Sequence, residues 1–523
     1  MKKYLLIILL LLLNLVCNAQ QVFQKHYTFN TWFYASKVLE IPGQGYFVIG
    51  IDDSLSVDSN GQPALDYFQG AIVKLNYQGD TIGTFQIGNG DTMYLSQFGR
   101  NSDDFFRSAI VTDDGNILVS GETQSYNAQN LYDYDLWLLK FNPNLDTLWT
   151  QRFSLPDSQM SLFPSISSKT QEDGIVVSGY ENAWGGYGNK FMLAVFDSIG
   201  NLKFHKTLMP QFSGNLLSAI ESSDHGFIAT GIKYNSSVNF SDNSPIVIKT
   251  DSLGNTVWYK ILPFWGDYHL AENIIKTQDG NYIFVWENVF YNSGAAYKMW
   301  QTHATKIDEQ GIELWTKDYH YSFDQHKRIV ELPNGNLMVS GRYTDTLGNG
   351  IKGFLMVCDS NGDSLWTRKF NGPPGPSPGS NPRCSDGTFT SDGGYILTGE
   401  TYCCNFNPFF GWTSSLWILK TDSFGLITSV VNLPKPSMEL NSIGNSFPNP
   451  TNKITTVSTI VSPTIQSAFL LLFDVTGRQL KQIKIEIGFN QTAINFSEYP
   501  AGEYVIALSV DGFNAGTKKI IKQ

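Results

Sequence analysis

Two stretches of the 523-residue sequence have spacings that catalysis could use. Gly348-Asn349-Gly350-Ile351-Lys352-Gly353 satisfies the glycine spacing of a dinucleotide-binding turn. That chemistry needs a helix N-terminus facing a pyrophosphate, and strand-like sequence flanks this stretch on both sides, so it reads as a loop. Gly375-Pro376-Ser377-Pro378-Gly379 has the spacing of a nucleophile elbow, but a proline on each side of Ser377 forbids the strand-turn-helix that would expose the hydroxyl. The seven histidines are scattered without metal-ligand spacing, and His303 takes a strand position that Trp137 and Trp417 fill elsewhere, which points to packing. Three arginines converging on a carboxylate would suit sialidase-like chemistry; the chain has eight arginines, none in a repeated context. Asp or Asn at 76, 142, 197, 251, 308, 359 and 422 could suggest Ca²⁺, but one carboxylate per turn cannot supply six oxygens. Such a residue more simply accepts the N–H groups of its own turn. No catalytic residue, metal or cofactor is expected.

The same residues punctuate a repeat. One unit recurs seven times, as in AIVTDDGNILVSGET (109–123) followed, after a loop, by LWLLKFNPNLDTLWTQRF (136–153). Other hairpin tips are Gly43-Gly45, Asp173-Gly174, His225-Gly226, Asp279-Gly280, Asn334-Gly335 and Asp392-Gly394. Six repeats close the next strand with Gly50, Gly121, Gly179, Gly231, Gly341 or Gly399, and Trp286 stands there in the fifth. Glycines at 79, 200, 254, 311, 362 and 425 follow the turn-opening Asp or Asn by three residues, and Trp149, Trp258, Trp315 and Trp366 follow it by seven. Each unit offers four short strands joined by turns that supply positive φ. Four strands in each of seven repeats predict an all-β chain with a seven-bladed β-propeller over 20–431, rather than a β-solenoid with its shorter period. Residues 22–30 read as an isolated fourth strand able to close the ring on the last repeat.

Composition agrees with β-rich extracellular material: 42% hydrophobic, 14% aromatic, and only 16% charged residues. The formal charge is −11 with no basic stripe, which disfavours nucleic acid and anionic membranes as partners. Lys2 and Lys3, an apolar run from Tyr4 to Leu13, and Cys17 and Ala19 at −3 and −1 predict a secretory signal peptide over 1–19. No later run approaches the ~18 apolar residues of a membrane-spanning helix.

Residues 432–446 lack the repeat pattern and read as a linker before a different module at 447–523. Phe447-Pro448-Asn449-Pro450, Asp474 with Gly477, Pro500-Ala501-Gly502-Glu503-Tyr504, and Lys518 with Lys519 carry a specific resemblance there. The module resembles the type A C-terminal sorting domain of the type IX secretion system. The resemblance implies a small Ig-like β-sandwich that engages the type IX secretion machinery, and removal by a sortase-like peptidase. It also implies a protein that is secreted or attached to the outer-membrane surface. Glu503 stands where that family usually has Ile or Val. The Asp-x-x-Gly turn followed by Trp resembles, loosely, the tryptophan-docking repeat of pyrroloquinoline quinone dehydrogenases. Asp-Ser/Thr steps at Asp53, Asp80, Asp91, Asp146, Asp197, Asp251, Asp345 and Asp363 resemble a bacterial O-glycosylation acceptor, although turn chemistry alone produces them too.

In an oxidising compartment Cys384 is expected to pair with Cys403 or Cys404, the rival being a vicinal Cys403-Cys404 bond, with Cys358 free. The connections at 52–67, 122–134, 181–188, 263–270, 286–299 and 371–383 are long and irregular and share one end of the strands, where function concentrates. Their aromatic residues Trp184, Tyr187, Trp265, Tyr268 and Tyr291, with Phe409, Phe410 and Trp412 of the repeat 7 loop, are the candidate ligand-binding set, suited to a glycan or a surface protein. The expected function is non-catalytic binding or adhesion. The alternative is an extracellular enzyme on the same scaffold, of polysaccharide lyase or quinoprotein type.

Overall fold

The computed structural model describes residues 21–27, 32–57, 63–87, 103–124, 134–155, 160–183, 188–235, 243–262, 268–291, 298–319, 323–344, 351–372, 382–407, 411–427, 442–461, 467–475, 478–510 and 513–523. The expected signal peptide lies outside them. All regular structure among the described residues is β, and the chain forms two compact units, the second carrying 428–523.

The first unit is a succession of four-stranded antiparallel meanders. Sheet 1 contains Trp32–Ile41, Gly45–Val57, Pro63–Leu75 and Thr81–Ile87. Sheet 2 contains Asp104–Val111, Ile117–Gln124, Tyr134–Phe141 and Thr147–Phe153. Sheet 3 contains Met160–Lys169, Ile175–Ala183, Lys190–Phe196 and Leu202–Leu208. Sheet 4 contains Ser213–Glu221, Phe227–Tyr234, Asn243–Thr250 and Thr256–Ile261. Sheet 5 contains Tyr268–Lys276, Tyr282–Tyr291, Lys298–Ile307 and Glu313–Tyr319. Sheet 6 contains Phe323–Glu331, Leu337–Thr344, Ile351–Cys358 and Ser364–Phe370. Sheet 7 takes Arg383–Phe389, Tyr395–Asn407 and Gly411–Thr421 from the end of the region, and its fourth strand, Phe23–Tyr27, from the beginning.

Neighbouring sheets share their cores. Phe47, Ile49 and Ile72 of sheet 1 are buried against Phe106, Ile117 and Phe141 of sheet 2, and Phe33 and Val48 of sheet 1 against Ile396, Leu416 and Ile418 of sheet 7. The first strand of each sheet packs on the sheet before it, and that of sheet 1 packs on sheet 7. The circuit is therefore closed and propeller-like, with Phe23–Tyr27 covering what would be an open edge. Third strands such as Tyr134–Phe141 are buried almost throughout, whereas fourth strands such as Thr147–Phe153 are exposed except at the half-buried rings of Phe153 and, nearer the start, Trp149.

That ring is the recurring tryptophan. A Cβ on Gly200 would lie 2.7 Å from Trp149, one on Gly311 2.7 Å from Trp258, and one on Gly362 2.9 Å from Trp315. Each glycine sits at positive φ in the turn of the next sheet, so the indole of one sheet seats on bare backbone of its neighbour. Phe23 on Gly79 and Phe204 on Gly254 do the same with a smaller ring. The turn itself is closed by its opening residue: Asp251 Oδ1 accepts from the N–H groups of Leu253 at 3.0 Å and Asn255 at 2.8 Å. These carboxylates are occupied by their own turns.

The second unit has one sheet of Ser442–Phe447, Ile454–Val461 and Gly488–Asn495, and another of Gln479–Lys484, Ala468–Asp474, Gly502–Val510 and Phe513–Lys522. They share a core of Val457, Leu470, Ile494, Phe496 and Leu508. Its first strand begins inside the segment read as a linker, because Ile443 turns into that core while its neighbours face outward. The hydroxyl of Tyr504 donates to Pro500 O at 2.7 Å, and Asn449 braces the last strand, donating to Lys519 O at 2.7 Å and accepting from Ile521 N at 2.8 Å. Glu503 is exposed and pairs with Lys519 at 2.5 Å, which explains how a charge stands at this position. Phe447 is largely exposed, and Gly477 lies outside the described residues.

Candidate functional site

The repeat glycines lead to the site. Gly50, Gly121, Gly179, Gly231 and Gly399 each lie where a Cβ would be 1.8–2.3 Å from a carbonyl oxygen of the first strand of the same sheet. The cause is a β-bulge in that strand. Pairing slips between Ala35 and Lys37, Phe106 and Ser108, Pro164 and Ser167, Leu216 and Ser218, Ala271 and Asn273, Asp324 and Arg328, and Cys384 and Asp386. A bulge pushes backbone toward the facing strand and turns its extra residue aside; glycine accommodates the close approach in these five sheets, whereas Trp286 faces the bulge of sheet 5.

The residues turned aside share a destination. Ser36, Arg107, Ser165, Leu217, Glu272 and Ser385 are extra residues of six bulges, and all line one cavity of about 700 Å³; Arg328 ends the seventh bulge and lines it too. The lining comes from the early part of each first strand and the late part of each second strand, as in Glu122, Tyr180, Arg342 and Glu400. The cavity therefore lies toward the end of the ring that carries the long connections.

Its polar groups form ion pairs across the lining. Arg107 Nε donates to Glu122 Oε1 at 3.2 Å, and its guanidinium lies over the Phe105 ring, 4.6 Å from the centroid. Asp386 is fully buried and accepts from Arg328 Nε at 3.1 Å, with Lys37 Nζ at 3.5 Å. Glu400 lies 3.5 Å from Arg383 and 4.0 Å from Arg342. Burial pushes the Glu122 carboxyl up, opposed by Arg107, and pushes Glu400 up, opposed by Arg342 and Arg383. Tyr180 is pushed up to about 12 by burial, with Glu122 adding to the effect. Half-buried Phe68, Phe105, Tyr134, Phe163 and Tyr180 form a chain of rings with successive centroids 5.2, 6.1, 5.4 and 4.8 Å apart.

Sequence reasoning named a different set at the same end. Trp184, Tyr187, Trp265, Phe409 and Phe410 lie outside the described residues. Tyr268 opens a strand, Tyr291 ends one and Trp412 stands second in one, all at the long-connection end. Strands run further into those connections than expected, so that 52–67 is largely the hairpin arms ending at Val57 and resuming at Pro63. Three arginines do reach one cavity, Arg107 from sheet 2 and Arg328 and Arg342 from two strands of sheet 6, a convergence that bulges and ring closure create and local sequence does not display. The signal that could have found them was the closing glycine itself.

Two other sequence readings meet the structure here. His303 is buried, stacks on Trp286 with centroids 4.0 Å apart, and bonds Asn288 Oδ1 at 2.8 Å and Asp318 Oδ1 at 2.5 Å. In sheets 2 and 7 a second-strand glycine faces a third-strand tryptophan, Gly121 facing Trp137 and Gly399 facing Trp417; in sheet 5 the large ring has moved to Trp286 and His303 faces it. Cys384 carries a free, buried thiol donating to Asp386 O at 3.5 Å, which differs from the bridge expected to Cys403 or Cys404. Its Cβ points toward Gly353 of sheet 6, into the space between sheets; the side chains of Cys403 and Cys404 lie outside the described residues. Cys358 is likewise free and buried, as expected. The stretch through Gly353 enters the strand Ile351–Cys358, with no helix to face a phosphate.

Residues 445–523 match the family described as secretion system C-terminal sorting domain. No curated protein matches the chain. Among solved structures, the polysaccharide lyase Uly1 is 9% identical, covering 77% of this chain and 99% of its own, at a TM-score of 0.44. A protein of unknown function from Dyadobacter fermentans is 9% identical over 76% of this chain and 99% of its own, at 0.39. The β-propeller domain of the Trilobed protease from Pyrococcus furiosus is 10% identical over 76% and 97%, at 0.38. The C-terminal unit is thus a type IX sorting domain, and it marks the protein for export and for secretion or attachment at the cell surface.

Proposed function

We propose that the protein is a binding or adhesion module: a seven-bladed β-propeller, delivered by an Ig-like sorting sandwich, that holds a glycan or a surface protein at its long-connection end without catalysing a reaction. The observation that carries this reading is the cavity that the bulges build at that end, since seven separate strands spend an irregularity on lining it. Each bulge costs ladder hydrogen bonds; the residue after it ties one sheet to the next, and the residue it turns aside goes to the cavity. The ion pairs of its arginines with Glu122, Asp386 and Glu400 suit a fixed recognition surface. Trp184, Trp265 and Trp412, which the sequence assigns to the long connections, are the aromatic residues chosen to test it. Replacing these three by Ala is expected to weaken attachment to cell surfaces with little change in melting temperature. Unchanged attachment per folded molecule would place binding elsewhere.

The enzyme reading keeps one supporting observation, the gathering of Arg107, Arg328 and Arg342 with the three buried glutamates Glu122, Glu272 and Glu400 in a single cavity. Elemental analysis of the purified protein, together with an assay for polysaccharide cleavage, separates the two readings.

A further inference from the structure

Glu122 is 1% exposed, lines the cavity and spends one carboxylate oxygen on Arg107, yet its Oε2 has no hydrogen-bond partner. A buried acceptor left unmade is expensive, and a ligand donor is one way to satisfy it. Beside it Phe163 stacks on Tyr180 with planes 18° apart, and Phe68 and Phe105 continue the ring wall toward sheet 1, all four half-buried and lining the same cavity.

We infer that this wall and the Arg107–Glu122 pair form a subsite for an uncharged sugar ring of an oligosaccharide. The inference rests on the binding reading proposed above and gives it a ligand class. Flat, partly exposed rings offer a face to the C–H side of a pyranose, and the ion pair offers an acceptor and donors to hydroxyls on its edge. The ligand group is uncharged because both charges are already matched: Arg107 neutralises Glu122 and covers the Phe105 face that a ligand cation would take. A cavity of about 700 Å³ admits a short oligosaccharide and falls within the usual range of ~300–1,000 Å³ for small-ligand sites.

The test is binding of the full-length protein to an array printed with neutral gluco-, galacto-, manno- and xylo-oligosaccharides and with uronate-containing chains, using wild type, Glu122→Gln, Phe163→Leu and Tyr180→Leu. Glu122→Gln keeps the shape and replaces the free acceptor with a donor. Expected is binding to at least one neutral oligosaccharide, weakened about tenfold or more in each variant that melts as wild type does. Affinity unchanged in the folded variants would overturn the subsite. Binding confined to uronate chains, or to no printed saccharide, would overturn the ligand class. Should Glu122→Gln fail to fold, the two ring variants decide. Attachment lost in the Trp184, Trp265 and Trp412 variant with saccharide binding intact would bear on the wider surface, not on this subsite.

Discussion

Asp386 Oδ2 accepts from the backbone N–H of Val38 at 2.9 Å, a hydrogen bond between residues 348 positions apart. The same carboxylate holds Arg328, so one buried side chain ties sheet 7 to sheets 6 and 1 where the circuit closes. The arrangement recurs with neutral acceptors: Asn273 Oδ1 takes Ile329 N–H at 2.9 Å and Ser218 Oγ takes Ile274 N–H at 3.4 Å. Each acceptor follows a bulge and satisfies a backbone donor of the next sheet.

Asp386→Ala is expected to lower stability by about 3–5 kcal/mol, because the Val38 N–H loses its buried acceptor and half-buried Arg328 loses its carboxylate partner. Asp386→Asn keeps an acceptor for Val38 and should lose less. Chemical denaturation of both variants checks the order; equal losses would mean that the Val38 hydrogen bond contributes nothing.

Gly311 and Gly335 both have positive φ, but only Gly311 faces an indole, with nothing within 4 Å of a Cβ on Gly335. Gly335→Ala should cost ~1–2 kcal/mol for the left-handed backbone alone. Gly311→Ala should cost about 1–3 kcal/mol more, because its methyl would displace Trp258. The difference between their denaturation midpoints measures the docking of one sheet on the next.

Lys249 is 2% exposed in its side chain and lies 2.7 Å from Asp224 at a hairpin tip, and Lys140 with Asp114, Lys306 with Asp279 and Lys420 with Asp392 repeat the pair. Burial pushes the Asp224 carboxyl up, but Lys249, Ser222 and Gly226 outweigh it and hold it well below the usual carboxylate range. A depressed carboxyl stabilises the fold above its unfolded pKa, and that stability is lost as pH falls through the folded value. Unfolding free energy should therefore drop steeply below pH ~4. Asp224→Ala should cost about 2 kcal/mol at neutral pH, less than a fully buried pair, since the Asp224 side chain is 56% exposed. The same variant should show a shallower acid slope.

Asp52 has the opposite sign. Burial pushes its carboxyl up to about 7, with one oxygen unpartnered and the other accepting from Gln86. Stability from such a group is complete below the unfolded value, falls as pH rises toward 7, and stays lost above it. Asp52→Asn should accordingly be more stable than wild type at pH 8, with the gap shrinking toward pH 4. A gap that is constant with pH would contradict the assignment.

Much of the first unit was legible because its elements are local. Hairpin tips declare themselves where Gly115, Gly280 or Gly335 must take positive φ, and Asp251 closes its own turn within four residues. The cavity was not legible for a physical reason: Arg107 of sheet 2 joins Arg328 and Arg342 of sheet 6 in one lining only through bulges and ring closure, which leave no local pattern except a glycine on the facing strand. The buried lysines were missed likewise, since Lys249 alternates like a surface residue while its ammonium reaches back to Asp224. Cys384 was misjudged because strand order alone does not say that its side chain points between sheets.

The central claim is that the cavity end of the ring holds a ligand and leaves it chemically unchanged. Its most direct test is to incubate the full-length protein with a polysaccharide that it retains and to follow both retention and chain length. Retention with no new reducing or unsaturated ends, in protein free of metal and quinone, is the predicted result; shortening of the chain that disappears in Glu122→Gln would contradict it.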